Sequence, residues 1–203
     1  HATEWALSQK AVTMVKNDNA LPFAPEAGQS VAFFSPSKSR LLTGEFARLR
    51  LVEEGILPED VTFESVVFSA GPDEQEAVLA DCLEVLARCD YAVIVNTMWG
   101  LAELDPRTED GVDSDTLDRI IRAAHEQGKK AAFISANLPY DVARFQEADA
   151  LLLCYGSYPM NELPAPGYAY MANLPAAICS VFGESEPSGS LPVSIPKLKE
   201  DYA

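Results

Sequence analysis

Tyr91-Ala92-Val93-Ile94-Val95 is five residues without a charge, rich in β-branched side chains and flanked by Asp90 and Asn96. A run this short and apolar at every position reads as a strand buried on both faces. Moving back from it, Val78, Leu79, Leu83, Val85 and Leu86 recur at helical spacing from Asp73 to about Cys89. Val61 to Phe68 reads as a further strand. Before that, a helix through Leu41, Leu42, Phe46, Leu49 and Leu51 stops at Gly55, and Val31 to Phe34 is a short buried strand. Moving forward, a polar loop runs from Asn96 to about Ser114, long enough to suggest function. A helix with Leu117, Ile120, Ile121 and Ala124 follows and ends near Gly128. Strands over Ala131 to Ser135 and Ala150 to Cys154 and a helix from about Tyr168 to Phe182 complete the count. At the N-terminus Trp5, Leu7, Val12, Met14 and Val15 predict a helix from Thr3 to Lys16, stopped by Asn17-Asp18-Asn19. Strands alternate with helices, so the expected fold is α/β: a three-layer α/β sandwich with a mostly parallel sheet.

The 203 residues, 48% hydrophobic with 14 Pro and 11 Gly, have the composition of a globular domain. No apolar run approaches the roughly 20 residues that span a bilayer. The net charge is −16, from 31 acidic against 15 basic residues. Such a balance leaves no basic patch for phosphates, so neither nucleic acid nor an anionic membrane is an expected partner. Cys82, Cys89, Cys154 and Cys179 form no Cys-x-x-Cys pair, and His1 and His125 are the only histidines. No metal site and no cofactor are expected, and buried thiols are the default reading. There is no Gly-x-Ser-x-Gly elbow, Walker loop or Gly-x-Gly-x-x-Gly.

In open parallel sheets ligands bind outside the carboxyl ends of the strands, and three such ends carry chemistry here. Ser35-Pro36-Ser37-Lys38-Ser39 precedes a helix, and its hydroxyls suit either an anion or a serine helix cap. The loop after Val95 carries Trp99, Glu103, Asp105, Arg107, Glu109, Asp110 and Asp113. This is either an acidic solvated loop or a site with paired carboxylates, an arginine and an aromatic. Asn137-Leu138-Pro139-Tyr140-Asp141 reads as a structural turn or a ligand contact. Pro139 holds Leu138 extended, and Asp141 is placed to cap a short helix through Phe145.

Three ordered stretches resemble glycoside hydrolase family 3. Val181-Phe182-Gly183 followed by Pro187-Ser188-Gly189-Ser190-Leu191-Pro192-Val193-Ser194-Ile195-Pro196 is similar to the close of that family's C-terminal domain. Ala6 to Phe23, containing Ala11-Val12-Thr13-Met14-Val15-Lys16-Asn17-Asp18-Asn19, looks like the helix that opens it. Lys130 to Asp141 is similar to the β-N-acetylhexosaminidase branch rather than the β-glucosidase branch, although Asn137 stands where those relatives often carry a basic residue.

The resemblance implies one C-terminal-like α/β domain over 1–203, flavodoxin-like in general architecture. Its N-terminal helix and turn would occupy 1–22, and its C-terminal turn and extended tail 184–203. It also implies an N-terminal catalytic barrel as partner, a carbohydrate substrate with β-linked N-acetylglucosamine, and room for a homodimer. Retaining glycosidases need two carboxyl groups flanking the bond, and the family keeps its nucleophile on the barrel. No catalytic residue is therefore expected in this chain, with Glu103, Asp105 and Glu109 as weak candidates. Trp99, Arg107, Asn137, Tyr140 and Asp141 are the substrate-binding candidates. Any export signal would lie upstream, and the sequence assigns no compartment to a soluble chain. The alternative is a free-standing module on the same fold that binds a saccharide or a small polar ligand.

Overall fold

A computed structural model describes residues 2–71, 73–100, 113–156, 172–196 and 198. Its six strands are β1 (Thr13–Asn17), β2 (Ser30–Ser35), β3 (Thr62–Val67), β4 (Tyr91–Met98), β5 (Lys130–Asn137) and β6 (Ala150–Leu153). They form one sheet in the order β1-β6-β5-β4-β2-β3. Every neighbouring pair is parallel except β1 with β6. Numbered among themselves, the parallel strands run 2-1-3-4-5, which is the doubly wound order of flavodoxin-like folds. The expected three-layer, mostly parallel α/β architecture is what forms.

Among the described residues the α-helices are α1 (Ala2–Ala11), α2 (Lys38–Glu53), α3 (Gln75–Arg88), α4 (Asp113–Glu126) and α5 (Asn173–Val181). Side chains alternate across each strand, so one apolar set cannot cover both faces. Val31, Phe33, Val93, Val95, Ile134 and Leu152 pack under α2 and α5. Ala32, Phe34, Ile94, Phe133, Leu151 and Leu153 pack under α3 and α4. α2 reaches the sheet at Gly44, where a Cβ would stand 2.7 Å from the ring of Phe33.

The N-terminal reading needs correction. The helix expected over Thr3 to Lys16 ends at Ala11, and Thr13–Asn17 is strand β1. The apolar stripe that suggested a longer helix is not a packed face: Leu7 is 62% exposed, and Ser8 is the buried residue of α1. Pairing with β6 overrides helical spacing, because the ladder satisfies the backbone while Val12 and Val15 enter opposite cores. The buried Lys16 Nζ donates 2.8 Å hydrogen bonds to the carbonyls of Gln146 and Ala148 and pairs with Asp18 at 2.9 Å. The loop expected from Asn96 also begins later, since β4 continues to Met98. Of the last helix, Asn173–Val181 is described, and its expected start near Tyr168 lies outside the described residues.

Gly183 closes α5 with φ +88, the left-handed conformation that ends a helix without a Cβ clash. Glu184 follows, and one of its carboxylate oxygens accepts from Arg50 Nη2 (2.5 Å), Arg50 Nε (2.9 Å), Gln9 Nε2 (3.2 Å) and Trp5 Nε1 (3.3 Å). The Arg50 guanidinium lies 4.2 Å from the Trp5 ring centroid. This network ties α1 and α2 to the C-terminal turn. The four cysteines are buried and unbridged, with burial pushing the Cys82 and Cys154 thiols up to about 12. Among the described residues no helix is long and apolar enough to cross a membrane.

The Gly44 contact gives a direct test. Gly44→Ala is expected to destabilise the fold by roughly 1–3 kcal/mol, because the added methyl overpacks Phe33. Urea unfolding reads this as a lower midpoint with an unchanged slope.

Candidate functional site

The carboxyl ends of β4 and β5 are where apolar sequence gives way to polar. The two strands are in parallel register, with Asn96 beside Ser135 and Met98 beside Asn137. Asn96 and Ser135 face the α3/α4 side, as the alternation from Ile94 and Phe133 requires. Both hydroxyl and amide serve one acceptor. Asp141, in the 3-10 turn Pro139–Ala143, accepts from Ser135 Oγ and, at 2.8 Å, from Asn96 Nδ2.

Asp141 is 1% exposed. Burial pushes its carboxyl up to about 6, and the hydrogen bonds from Ser135 and Asn96 pull in the opposite direction. Its carboxylate thus fastens the turn to the two strands; its φ/ψ neighbourhood begins with Leu138, extended at φ −80 and ψ 131 as the following proline dictates. The helix predicted to be capped by Asp141 is this short turn, with Asp141 inside it rather than before it.

Asn137 has φ +78, a conformation tolerated by asparagine more readily than by most residues. Its Nδ2 donates to the Met98 carbonyl at 2.9 Å, so the side chain clips β5 to the end of β4. Trp99 follows immediately and is 58% exposed. Tyr140 is half-buried against the α3/α4-side core. The structure therefore brings Trp99, Asn137, Tyr140 and Asp141 to one edge of two adjacent strands. Glu103, Asp105, Arg107 and Glu109 lie outside the described residues.

The serine end of β2 differs from a simple cap. Ser37 is the N-cap of α2 but makes no side-chain cap hydrogen bond. Its Oγ instead accepts from Arg40 Nη1 at 2.8 Å and shares a 3.1 Å hydrogen bond with Ser39 Oγ. His125, at the last turn of α4, contacts Asp149 at 3.0 Å, far from this edge at the amino end of the sheet. Sequence reasoning missed the Asn96, Ser135 and Arg40 contacts. The available signal was that two fully apolar strands both turn polar just before they end.

These features define a doubly wound α/β fold with a polar, partly buried cluster at its carboxyl edge. No family profile matches the chain. It is 23% identical over 202 residues to Beta-hexosaminidase A of Pseudoalteromonas piscicida, covering 95% of this chain and 32% of that protein. The fold is shared with a fungal multi-domain GH3 β-N-acetylglucosaminidase, at TM-score 0.66 and 19% identity over 97% of this chain and 19% of that one. It is also shared with a glycoside hydrolase family 3 β-N-acetylglucosaminidase from Paenibacillus sp. str. FPU-7 (TM-score 0.61, 14% identity, 95% and 32% coverage). A β-D-glucoside glucohydrolase from Trichoderma reesei is a further neighbour (TM-score 0.54, 15% identity, 98% and 31% coverage). The resemblance to family 3 glycoside hydrolases carried by the three motifs is thus borne out. The chain spans about a third of the length of the curated relative it matches.

Burial of Asp141 predicts a pH signature. Its folded pKa lies above the ordinary value of about 3.9, so its contribution to stability is full below that pH and is lost as pH rises through about 6. Asp141→Asn has no such group. Urea midpoints across this window are expected to shift in favour of the unmodified protein as pH falls, whereas a constant gap would contradict the burial.

Proposed function

We propose that residues 1–203 form one accessory α/β domain of a family 3 glycoside hydrolase acting on β-linked N-acetylglucosamine. The domain packs on an N-terminal catalytic barrel, and the segments after β4 and β5 shape the sugar site. The observation that carries this reading is the match of nearly the whole chain to about a third of a β-hexosaminidase. The partial coverage of the solved neighbours, 19% to 32%, supports a larger parent protein. Retaining hydrolysis needs two flanking carboxyl groups, so in this reading the nucleophile comes from the barrel and the domain alone turns nothing over.

Trp99 is the described residue best placed to meet a sugar, as an exposed indole beside the Asn137 clip. An aromatic face with few polar groups around it is the usual lining of a small-molecule site. The same observation favours a second reading, a saccharide-binding module that works without a barrel.

In the enzyme carrying the barrel, Trp99→Ala is expected to raise KM for a chromogenic β-N-acetylglucosaminide on the order of tenfold, equivalent to about 1.4 kcal/mol. A kcat within about twofold would mark lost uniform binding. An unchanged KM would remove Trp99 from the sugar site. Saturable sugar binding by the chain without a barrel would favour the module.

A further inference from the structure

At the amino end of the sheet, β1, the turn after it and the carboxyl end of α5 line a half-open cleft of about 460 Å³. A space of this size suits a small molecule. It lies away from Trp99: Asn17, on its rim, pairs with Ala150, the first residue of β6. Phe23, just past the turn, donates its N–H to the Val181 carbonyl at 2.8 Å. Its ring stands 4.9 Å from that of Tyr91, the first residue of β4. The walls of the cleft are therefore pinned to the sheet and to α5.

One wall is apolar, made by Met14, Leu21, Pro22 and Pro187. Asn17 holds its shape, since Oδ1 accepts from the Ala20 and Leu21 N–H groups at 2.9 and 3.0 Å. The other wall presents acceptors. A serine hydroxyl carries one proton. Ser180 spends its proton on the Ala176 carbonyl at 2.9 Å, so the 2.9 Å hydrogen bond between Ser180 and Ser185 is donated by Ser185. Ser185 Oγ is left with lone pairs and no proton to offer. Beside it the exposed Glu186 lines the same cleft and makes no ion pair among the described residues. The negative pole of α5, which closes at Gly183, adds to this potential. After donating to the Leu21 carbonyl, Asn17 keeps one Nδ2 proton, a neutral donor that does not offset a carboxylate charge.

We propose that this cleft binds a primary ammonium carried on an unbranched apolar stem. The ammonium donates to Ser185 Oγ and to the Glu186 carboxylate, and the stem lies on Met14, Leu21 and Pro187. Hydrogen bonds between an ammonium and a carboxylate are stronger than neutral ones, and an aliphatic stem packs on apolar surface while its charged head reaches polar groups. A bare metal ion does not suit the place. Hard cations take six or more oxygens, and the described residues hold no cluster of three metal-ligating side chains. Because the cleft and Trp99 lie at opposite ends of the sheet, the glycosidase reading stands or falls separately.

The test is calorimetric titration of the protein with hexylammonium chloride and, separately, with n-hexanol, at constant ionic strength. Saturable binding of hexylammonium is expected, with n-hexanol at least about tenfold weaker. Glu186→Gln keeps the side-chain size and is expected to weaken hexylammonium binding about tenfold while leaving n-hexanol unchanged. Glu186 is exposed, so this variant tests the site without disturbing the fold. Ser185→Ala, in which Ser180 keeps its bond to Ala176, is expected to weaken hexylammonium binding about threefold. No saturable hexylammonium binding, equal affinity for the two probes, or unchanged affinity in Glu186→Gln would overturn the proposal.

Discussion

A parallel sheet that is apolar on both faces has to be covered on both, and every other feature of this molecule follows from that constraint. In β4, Ala92 to Val95 are fully buried, as are Ala150 to Leu153 in β6. Parallel neighbours need a crossover between them. The crossovers lay α2 on one face and α3 and α4 on the other, and α5, which follows β6, joins α2. That arrangement fixes where irregular backbone can go, namely the two ends of the strands.

The two ends are treated differently. At the amino end, Asp149 accepts from Ala131 N and Lys130 Nζ, each at 2.9 Å, and contacts His125 Nε2 at 3.0 Å. Burial works to raise its carboxyl, but these partners together hold it below the ordinary range. Lys16 closes the same end by bonding two carbonyls. This is a satisfied, structural polar network. At the carboxyl end Asp141 is buried with its carboxyl pushed up while accepting from Ser135 and Asn96, Thr97 Oγ1 has no hydrogen-bond partner, and Trp99 is 58% exposed.

Much of this was legible in the residues. Tyr91 to Val95 and Ala150 to Cys154 are apolar at every position, which only a doubly covered strand requires, and from them the layers follow. β1 was not legible, because Val12, Met14 and Val15 continue a helical spacing begun by Trp5. Only the long-range pairing of Thr13 with Leu153, some 140 residues away, makes the segment a strand. The strand-end candidates were readable as types and places. Their partners were not, since Asn96, Ser135 and Asp141 converge only once β4 and β5 lie in register. Likewise Ser37 reads as a cap until Arg40 folds back on it.

The central proposal is that this domain depends on a barrel for catalysis, and the most direct measurement is turnover of a chromogenic β-N-acetylglucosaminide by residues 1–203 alone and joined to the proposed N-terminal barrel. The account predicts no turnover by the domain alone and hydrolysis by the joined protein. Turnover by the domain alone, abolished by replacing Glu103, Asp105 and Glu109, would contradict it and would place a complete catalytic pair within this chain.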